Sequence, residues 1–223
     1  MISDLNLAGG TKLYSETSDV PTGYPKSGGT GYYTLPTSSS TGFSDDTVAY
    51  VYNTGRETSS QSDCTSSQAC NSYYSWLAAV AGNQTSVSTD GYNAPYSICP
   101  KGWRLPTATT SNASATSNNN WKTGDLYTLA TAYGANLESY SYENSGTFYN
   151  NAGPGTTPNF LLPGYYNSSQ FYSGGSRGNY WSSSSNSSTR AYQFNFSSQN
   201  VDSASRSLDS RNGFPVRCVL SES

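Results

Sequence analysis

Histidine is absent from this 223-residue chain, and charged residues make up only 11% of it. Without histidine, neither a Ser-His-Asp triad nor a Cys-His pair can form. The 11 basic residues are scattered and the formal net charge is -3, which argues against nucleic-acid binding through counterion release. No apolar run approaches the roughly 20 residues that a membrane span needs. These absences favour a non-catalytic protein with no nucleic-acid partner and no direct membrane insertion.

Serine, threonine, asparagine, glycine and tyrosine dominate the composition, with 20 tyrosines and 21 glycines. Antibody paratopes use a similar mixture, in which rigid tyrosines supply contact area and small polar residues supply adaptable hydrogen bonds. A Ser/Thr/Asn-rich secreted surface protein without a binding site is the plainer interpretation. Both interpretations predict a loop-rich extracellular fold.

Four cysteines, Cys64, Cys70, Cys99 and Cys218, permit three pairings. Cys64 and Cys70 flank a short polar loop that can close on itself, which leaves Cys99 to tie the middle of the chain to Cys218 in its last strand. A zinc site is the alternative, but the chain has no histidine and no C-x2-C spacing. We therefore expect two disulfides and an oxidising compartment.

The first residues, MISDLNLAGG, lack a basic stretch followed by a long apolar one. We expect an export signal or anchor to have been removed ahead of Met1, and the protein to be extracellular or at the cell surface. Residues 1–46 are rich in Gly, Pro, Ser and Thr and are predicted to be an arm or linker. Residues 47–223 are predicted to be one folded, ligand-binding domain.

The periodicity predicts an α+β fold with two helices and a hairpin-rich antiparallel sheet. The helices are expected within 71–82 and 124–134, and 144–160 is expected to be a long irregular loop. Strands are predicted at TVAYVYN (47–53), FLLPGYY (160–166), QFYS (170–173), NYWSSS (179–184), AYQFNF (191–196) and GFPVRCVL (213–220).

The alternation in AYQFNF places Tyr192, Phe194 and Phe196 on one face of a strand, with Gln193 and Asn195 on the other. Such alternation is typical of a half-buried antiparallel strand with one face in solvent. The polar face is therefore predicted to be available to a ligand.

Four motifs, SICPKGWRLPT, GNYWSSS, AYQFNF and NGFPVRCV, occur in order within residues 47–220. In them the chain resembles the Fibrobacter succinogenes major paralogous domain family. The resemblance implies a C-type-lectin-like fold, near the formylglycine-generating-enzyme branch, on exported bacterial surface proteins. It also implies a long-range bridge of the Cys99–Cys218 kind.

Folds of this kind also serve as the variable proteins of diversity-generating retroelements, in which adenine-directed mutagenesis rewrites a C-terminal stretch. Residues 165–212 are built heavily from the products of such mutagenesis, between Trp181, Phe194, Phe196 and Phe214. The resemblance thus implies a diversified binding surface. The alternative is that these Ser/Asn runs are ordinary hairpin loops.

No catalytic residue and no metal ligand is predicted. The carboxylates Glu138, Glu143, Asp202 and Asp209 are expected to have a solvated surface role. Formylglycine-generating enzymes use reactive thiols and bound copper, whereas all four cysteines here are expected in bridges. The Ca²⁺ motifs of sugar-binding C-type lectins are missing, so no cofactor is expected, although a structural Ca²⁺ elsewhere is left open.

Some prominent residues are expected to be structural. Trp103 and Trp181 are predicted to pack under the sheet. Arg104 and Arg217, flanked by framework residues, are predicted to donate hydrogen bonds to loop carbonyls.

Polar and tyrosine residues between the framework positions are the candidate ligand-binding set, with the tyrosine and three arginines the strongest because such residues dominate interface hot spots. The set is Tyr166, Asn167, Gln170, Arg177, Asn179, Arg190, Gln193, Asn195, Arg206, Asp209, Arg211 and Asn212, of which Tyr166, Arg190, Arg206 and Arg211 are the strongest. The expected partner is a protein or glycan on another cell or phage. A structural or adhesin module without a site is the first alternative, and a formylglycine-generating-enzyme-like oxidoreductase is the second.

Overall fold

The computed structural model describes residues 51–52, 73–80, 92–94, 97–99, 102–109, 120–137, 142–143, 146–167, 170–203 and 206–221. Three α-helices lie in these ranges, α1 (Trp76–Ala79), α2 (Asp125–Ala132) and α3 (Thr147–Ala152). The strands are β1 (Val51–Tyr52), β2 (Tyr73–Tyr74), β3 (Tyr92–Asn93), β4 (Trp103–Arg104), β5 (Tyr142–Glu143), β6 (Tyr165–Asn167), β7 (Gln170–Tyr172), β8 (Gly178–Ser187), β9 (Arg190–Phe196), β10 (Val201–Asp202), β11 (Ser207–Asp209) and β12 (Val219–Leu220).

The long β8–β9 hairpin is the centre of the main sheet, whose strand order is β3-β8-β9-β10-β5. Strand β11 also pairs with β9, at the end of β9 away from β10. Three two-stranded sheets, β1–β2, β4–β12 and β6–β7, surround it, and every one of these strand pairs is antiparallel. The prediction of an α+β protein with antiparallel sheets is confirmed at this level.

Apolar side chains pack in two separate clusters around this sheet. One, the phenylalanine cluster, contains Phe148 and Phe160 beside Tyr192, Phe194 and Phe196 of β9. The other, the tryptophan cluster, includes Trp76, Trp181, Tyr74, Phe214 and the disulfide Cys99–Cys218. Because successive strand residues point to opposite faces, Tyr180 and Trp181 of β8 enter different clusters. The sheet is therefore covered on both faces.

Two of the three helices follow the predicted periodicity. α1 is shorter than the predicted segment because Tyr73 and Tyr74 pair with β1 instead of joining the helix. Ser75 caps it by accepting a hydrogen bond from the Ala78 N–H at 3.2 Å. α2 buries Leu126 and Ala130, four residues apart, against the phenylalanine cluster.

The prediction of a long irregular loop over 144–160 was wrong, because α3 lies within it. Phe148 and Ala152, four residues apart, are fully buried in the phenylalanine cluster. Gly146 precedes the helix at φ 67°, a left-handed conformation that glycine adopts without strain. Asparagines and glycines around this single apolar pair conceal the helical periodicity in the sequence.

The predicted structural roles of the tryptophans and arginines are confirmed. Trp181 is fully buried and Trp103 packs partly buried against the tryptophan cluster. Arg217 donates to the carbonyls of Asn159 and Pro158, and its guanidinium lies 4.0 Å from the centre of the Phe160 ring. The Cys99–Cys218 disulfide is present, whereas Cys64 and Cys70 lie outside the described residues.

Arg104 donates to the Leu105 carbonyl and to the carboxylate of Asp125 at the start of α2. Burial alone would raise the pKa of Asp125, but the hydrogen bonds from Arg104 and Thr107 outweigh it and hold that pKa below its ordinary value. The pair ties β4 to α2.

Across the described ranges, no helix has the length and apolarity that crossing a membrane requires.

Two expectations about the C-terminal stretch were wrong. Ser182, Ser183, Ser184 and Ser185 belong to the Ser/Asn runs for which hairpin loops were the alternative, but they are buried on β8, since backbone segments 92–94 and 106–108 hydrogen-bond to this part of the strand. The Ser184 hydroxyl accepts from the Ala108 N–H at 2.8 Å and donates to the Asn93 side chain. Strand β9 is likewise buried on both faces from residue 191 to 196, instead of exposing its polar face.

Candidate functional site

A row of polar side chains crosses three neighbouring strands on the sheet face opposite the phenylalanine cluster. Asn179 of β8 pairs with Asn195 of β9, which pairs in turn with Asp202 of β10. Residues directly opposite in an antiparallel pair lie on the same face, and Gln193, two residues from Asn195, shares it. These four residues, the buried polar cluster, are only 2%, 3%, 7% and 2% exposed for Asn179, Gln193, Asn195 and Asp202.

Arg177 fixes the orientation of two amides in the buried polar cluster. Its guanidinium can only donate, so the atom of Asn195 that it contacts at 3.3 Å must be the carbonyl oxygen Oδ1. The Nδ2 of Asn195 therefore faces Asn179, whose Oδ1 accepts from it at 2.5 Å. This leaves the Nδ2 of Asn179 pointing away from Asn195 with both of its protons.

Two atoms of the buried polar cluster are left with unused hydrogen-bonding capacity. Neither Nδ2 of Asn179 nor Oε1 of Gln193 has a hydrogen-bond partner among the residues that the structure describes. Such groups are uncommon in folded proteins, and each costs about 1–3 kcal/mol when it is buried unpaired. The cluster thus contains one donor and one acceptor that the described residues do not pair.

The edges of the buried polar cluster are charged. The Nε of Arg206 lies 3.9 Å from a carboxylate oxygen of Asp202, and the Arg206 side chain is 65% exposed. The expectation of a solvated role for Asp202 was wrong, because pairing with Asn195 at the centre of the sheet buries its side chain. Arg177, half-buried, lies at the opposite edge beside Asn195.

A second group, the arginine rim, is formed by Arg190, Asp209 and Arg211 at the other end of β9. Arg190 and Asp209 are paired in register, and Arg190 donates to the Ser207 hydroxyl at 3.2 Å. Arg211 holds the Asp209 carboxylate through bonds of 2.9 and 2.5 Å. Those hydrogen bonds keep the pKa of Asp209 below its ordinary value despite partial burial. Arg190 is exposed, so it is the member best placed to reach a ligand.

The remaining candidates lie elsewhere. Tyr166 is half-buried on β6, where its ring meets that of Tyr73 edge-to-face at 5.2 Å. Asn167 is exposed at the end of β6, opposite Gln170 of β7. Asn212 is buried, and its N–H donates to the Asp209 carbonyl at 3.0 Å. The predicted set therefore divides into the buried polar cluster with its two flanking arginines, the arginine rim with the adjacent Asn212, and the β6–β7 hairpin.

The described part of the chain contains no group of three or more His, Cys, Asp or Glu side chains that could hold a metal ion. Its two cysteines, Cys99 and Cys218, are bonded to each other. Glu143 lies opposite Val201 at the sheet edge, and Glu138 is outside the described residues. The polar groups of the described site are therefore mainly hydrogen-bonding amides and guanidinium groups.

A family model for the Fibrobacter succinogenes major domain matches residues 30–220. The chain belongs to that family. No curated protein matches it, and no solved structure matches it. In this Fibrobacter succinogenes major domain, the buried polar cluster lies within the matched segment: Asn179 is part of the GNYWSSS motif, Gln193 and Asn195 are part of AYQFNF, and Asp202 follows them.

Sequence reasoning found most residues of this major domain's polar cluster but missed Asp202 as a member. The sequence signal for Asp202 is its place directly after Val201, an apolar residue that lies opposite Phe196 in the phenylalanine cluster. Only the pairing register shows that the next residue must then lie beside Asn195.

Proposed function

We propose that this protein is an exported, C-type-lectin-like binding domain that recognises a macromolecular partner, a protein or glycan on another cell or phage, without catalysis. The observation that carries the proposal is the buried polar cluster, with the Nδ2 of Asn179 and the Oε1 of Gln193 unpaired within the described chain. A chain selected for stability alone would gain by replacing such groups with apolar ones. Their presence supports a site that is completed by a ligand.

The surroundings of the cluster support the same proposal. Arg177 and Arg206 flank it, and Arg190 is a further exposed arginine at the other end of β9, on the strand face opposite Gln193 and Asn195. Arginine and tyrosine are the residues that most often dominate binding energy at interfaces. The Cys99–Cys218 disulfide is compatible with an extracellular protein, and export is part of the proposal.

The proposal includes diversification within residues 165–212, but at fewer positions than the composition of that stretch suggests. The buried serines at 182–185 are packing positions, so rewriting them would disturb the fold. Exposed positions such as Asn167, Ser176, Arg190 and Arg206 accept substitutions at little cost to stability. A diversified surface would therefore be drawn from these positions and the rims of the cluster.

Binding of the fluorescently labelled full chain to a panel of intact bacterial cells tests the proposal. We expect saturable binding that Arg177→Ala and Arg206→Ala each weaken, with unfolding temperatures close to that of the parent. The matched control is Lys122→Ala, which removes an exposed cation on the 3-10 turn 120–123, distant in sequence from the cluster. This variant should bind normally. Equal binding by all three variants would exclude the cluster as the site, and absence of saturable binding would contradict the proposed function.

A further inference from the structure

Strand β11 lies at an edge of the main sheet. Among the strands that the structure describes, it pairs with β9 alone, with Leu208 opposite Ala191 and Asp209 opposite Arg190. Leu208 packs half-buried against the tryptophan cluster and anchors the strand to the core. An edge strand presents backbone N–H and C=O groups with which another chain can pair, so folded proteins generally block such edges.

One hydrogen bond determines which residues of β11 bond to β9. The Ser210 N–H donates to the Thr189 carbonyl at 2.8 Å. These two residues flank the facing pair Asp209 and Arg190. Hydrogen-bonded and non-hydrogen-bonded pairs alternate along an antiparallel ladder, so Asp209 and Arg190 form a non-hydrogen-bonded pair.

The backbone of β11 therefore points alternately towards β9 and away from it. Leu208, the middle residue, forms the hydrogen-bonded pair with Ala191, so its N–H and C=O groups face β9. The N–H and C=O groups of Ser207 and Asp209 face the opposite direction, outward from the sheet. These are the groups to which an added strand would have to bond.

Both outward carbonyls of β11 already accept hydrogen bonds from the same chain. The Nη2 of Arg190 donates to the Ser207 carbonyl, and its Nε donates to the Ser207 hydroxyl at 3.2 Å. The Asp209 carbonyl accepts from the Asn212 N–H at 3.0 Å, in the turn that follows the strand. An added strand would have to compete with these bonds.

Charge at the same edge adds to this protection. Arg190 is exposed, and Arg211 holds the carboxylate of Asp209 through two side-chain hydrogen bonds. All three residues of the arginine rim would lose contact with water beneath an added strand, and burying charged groups is costly. Charged side chains on edge strands are a known means of preventing strand pairing between molecules.

We infer that Arg190 blocks the edge of the main sheet: its guanidinium occupies the Ser207 carbonyl and prevents β11 from pairing with β11 of a second copy of this chain. The inference does not depend on the proposed binding function. It assigns to the arginine rim a role in keeping copies of the chain apart.

Sedimentation velocity of the full chain at rising protein concentration tests the inference. Arg190→Ala should dimerise with a dissociation constant at least about tenfold below that of the parent. Arg190→Met keeps the apolar part of the side chain without its donors and should do the same, so a fold disturbed by alanine does not decide the result. Lys122→Ala, which also removes one exposed positive charge, is the matched control and should behave like the parent. A dissociation constant unchanged in both Arg190 variants would overturn the inference.

A proline on β11 separates edge pairing from a general loss of solubility. The Ser207 N–H faces away from β9, so Ser207→Pro keeps the bonds between the two strands and removes a donor that an added strand needs. The double variant Arg190→Ala/Ser207→Pro should therefore dimerise no more strongly than the parent. Hydrogen exchange of the associated Arg190→Ala variant should show the amides of Ser207 and Asp209 newly protected. Dimers that persist in the double variant, or that leave both amides unprotected, would show that the chains associate elsewhere and would overturn the inference.

Discussion

The guanidinium of Arg177 and the side-chain carbonyl of Asn195 are joined by a hydrogen bond of 3.3 Å. Because arginine only donates, this bond determines the orientation of both Asn195 and Asn179. The donor left over on Asn179 is thus a consequence of the network around it. Arg177, half-buried just before β8 begins, thus determines which hydrogen-bonding atom of Asn179 remains unpaired in the buried polar cluster.

Arg177→Met removes the donor that orients Asn195. We expect the orientation of both amides to be less well defined, because only the long 3.5 Å bond from the Nδ2 of Asn195 to the Gly178 carbonyl then distinguishes the two ways in which Asn195 and Asn179 can pair. Cell binding should fall about tenfold, with little change in unfolding temperature. The measurement is the ¹⁵N side-chain amide spectrum beside the binding assay, with Arg177→Lys as a variant that restores a donor. A single unchanged set of amide signals in Arg177→Met would contradict the orienting role.

Gly178→Ala should destabilise the fold strongly. A Cβ at this position would lie 2.0 Å from the Phe196 ring, inside the phenylalanine cluster. Overpacking of this kind costs about 1–3 kcal/mol, measurable by urea unfolding. The cost should shrink in a Phe196→Leu background, because the two changes share the same space. Additive effects in the double variant would show that the ring is not the obstacle.

Ser184→Ala tests whether the serine run of β8 is framework. Its hydroxyl accepts from Ala108 N–H and donates to Asn93, so its loss leaves buried partners unpaired at a cost of about 1–3 kcal/mol. Ser198→Ala, on an exposed turn, is the matched control and should change the free energy of unfolding by less than about 0.5 kcal/mol. Equal effects of the two substitutions would show that the Ser184 hydroxyl does not contribute to the stability of the fold.

These serines show where sequence reasoning succeeds and where it fails. The alternation of Tyr192, Phe194 and Phe196 predicts β9 and one buried face, because apolar side chains report their own burial. Ser182–Ser185 and Gln193 carry no such signal, since their burial depends on backbone segments far along the chain. Three members of the polar cluster, Asn179, Gln193 and Asn195, were therefore among the predicted candidates but were expected to be exposed. Helix α3 was missed for a similar reason, because one apolar pair in a glycine-rich segment is too weak a pattern.

Loss of the Cys99–Cys218 disulfide should destabilise the protein by roughly 4–5 kcal/mol in the chain-entropy account. The bridge spans 119 residues and both cysteines are buried in the tryptophan cluster. Denaturant unfolding of the Cys99→Ser/Cys218→Ser double variant measures the change, with Ser198→Ala, at an exposed position, as the control. A change below about 1 kcal/mol would mean that packing alone holds the last strand in place.

The free energy of unfolding should depend on pH through Asp125. Its pKa in the folded protein lies below the ordinary value of 3.8, so its ionised form stabilises the fold above that pH. The contribution should be lost as the pH falls through the folded-state pKa, which lies below about pH 4. Asp125→Asn should therefore lose stability relative to the parent at pH 6, and the difference should narrow towards pH 3. A difference independent of pH would show that the ion pair with Arg104 contributes nothing.

The most direct test of the binding site is to measure stability and cell binding together for Gln193→Met, with Gln199→Met on an exposed turn as the control. Methionine fills the same space without a buried acceptor. We predict that Gln193→Met has an unfolding temperature equal to or above that of the parent and binds at least about tenfold more weakly. A lowered unfolding temperature with binding unchanged would contradict the account, because Gln193 would then serve the fold and not a ligand.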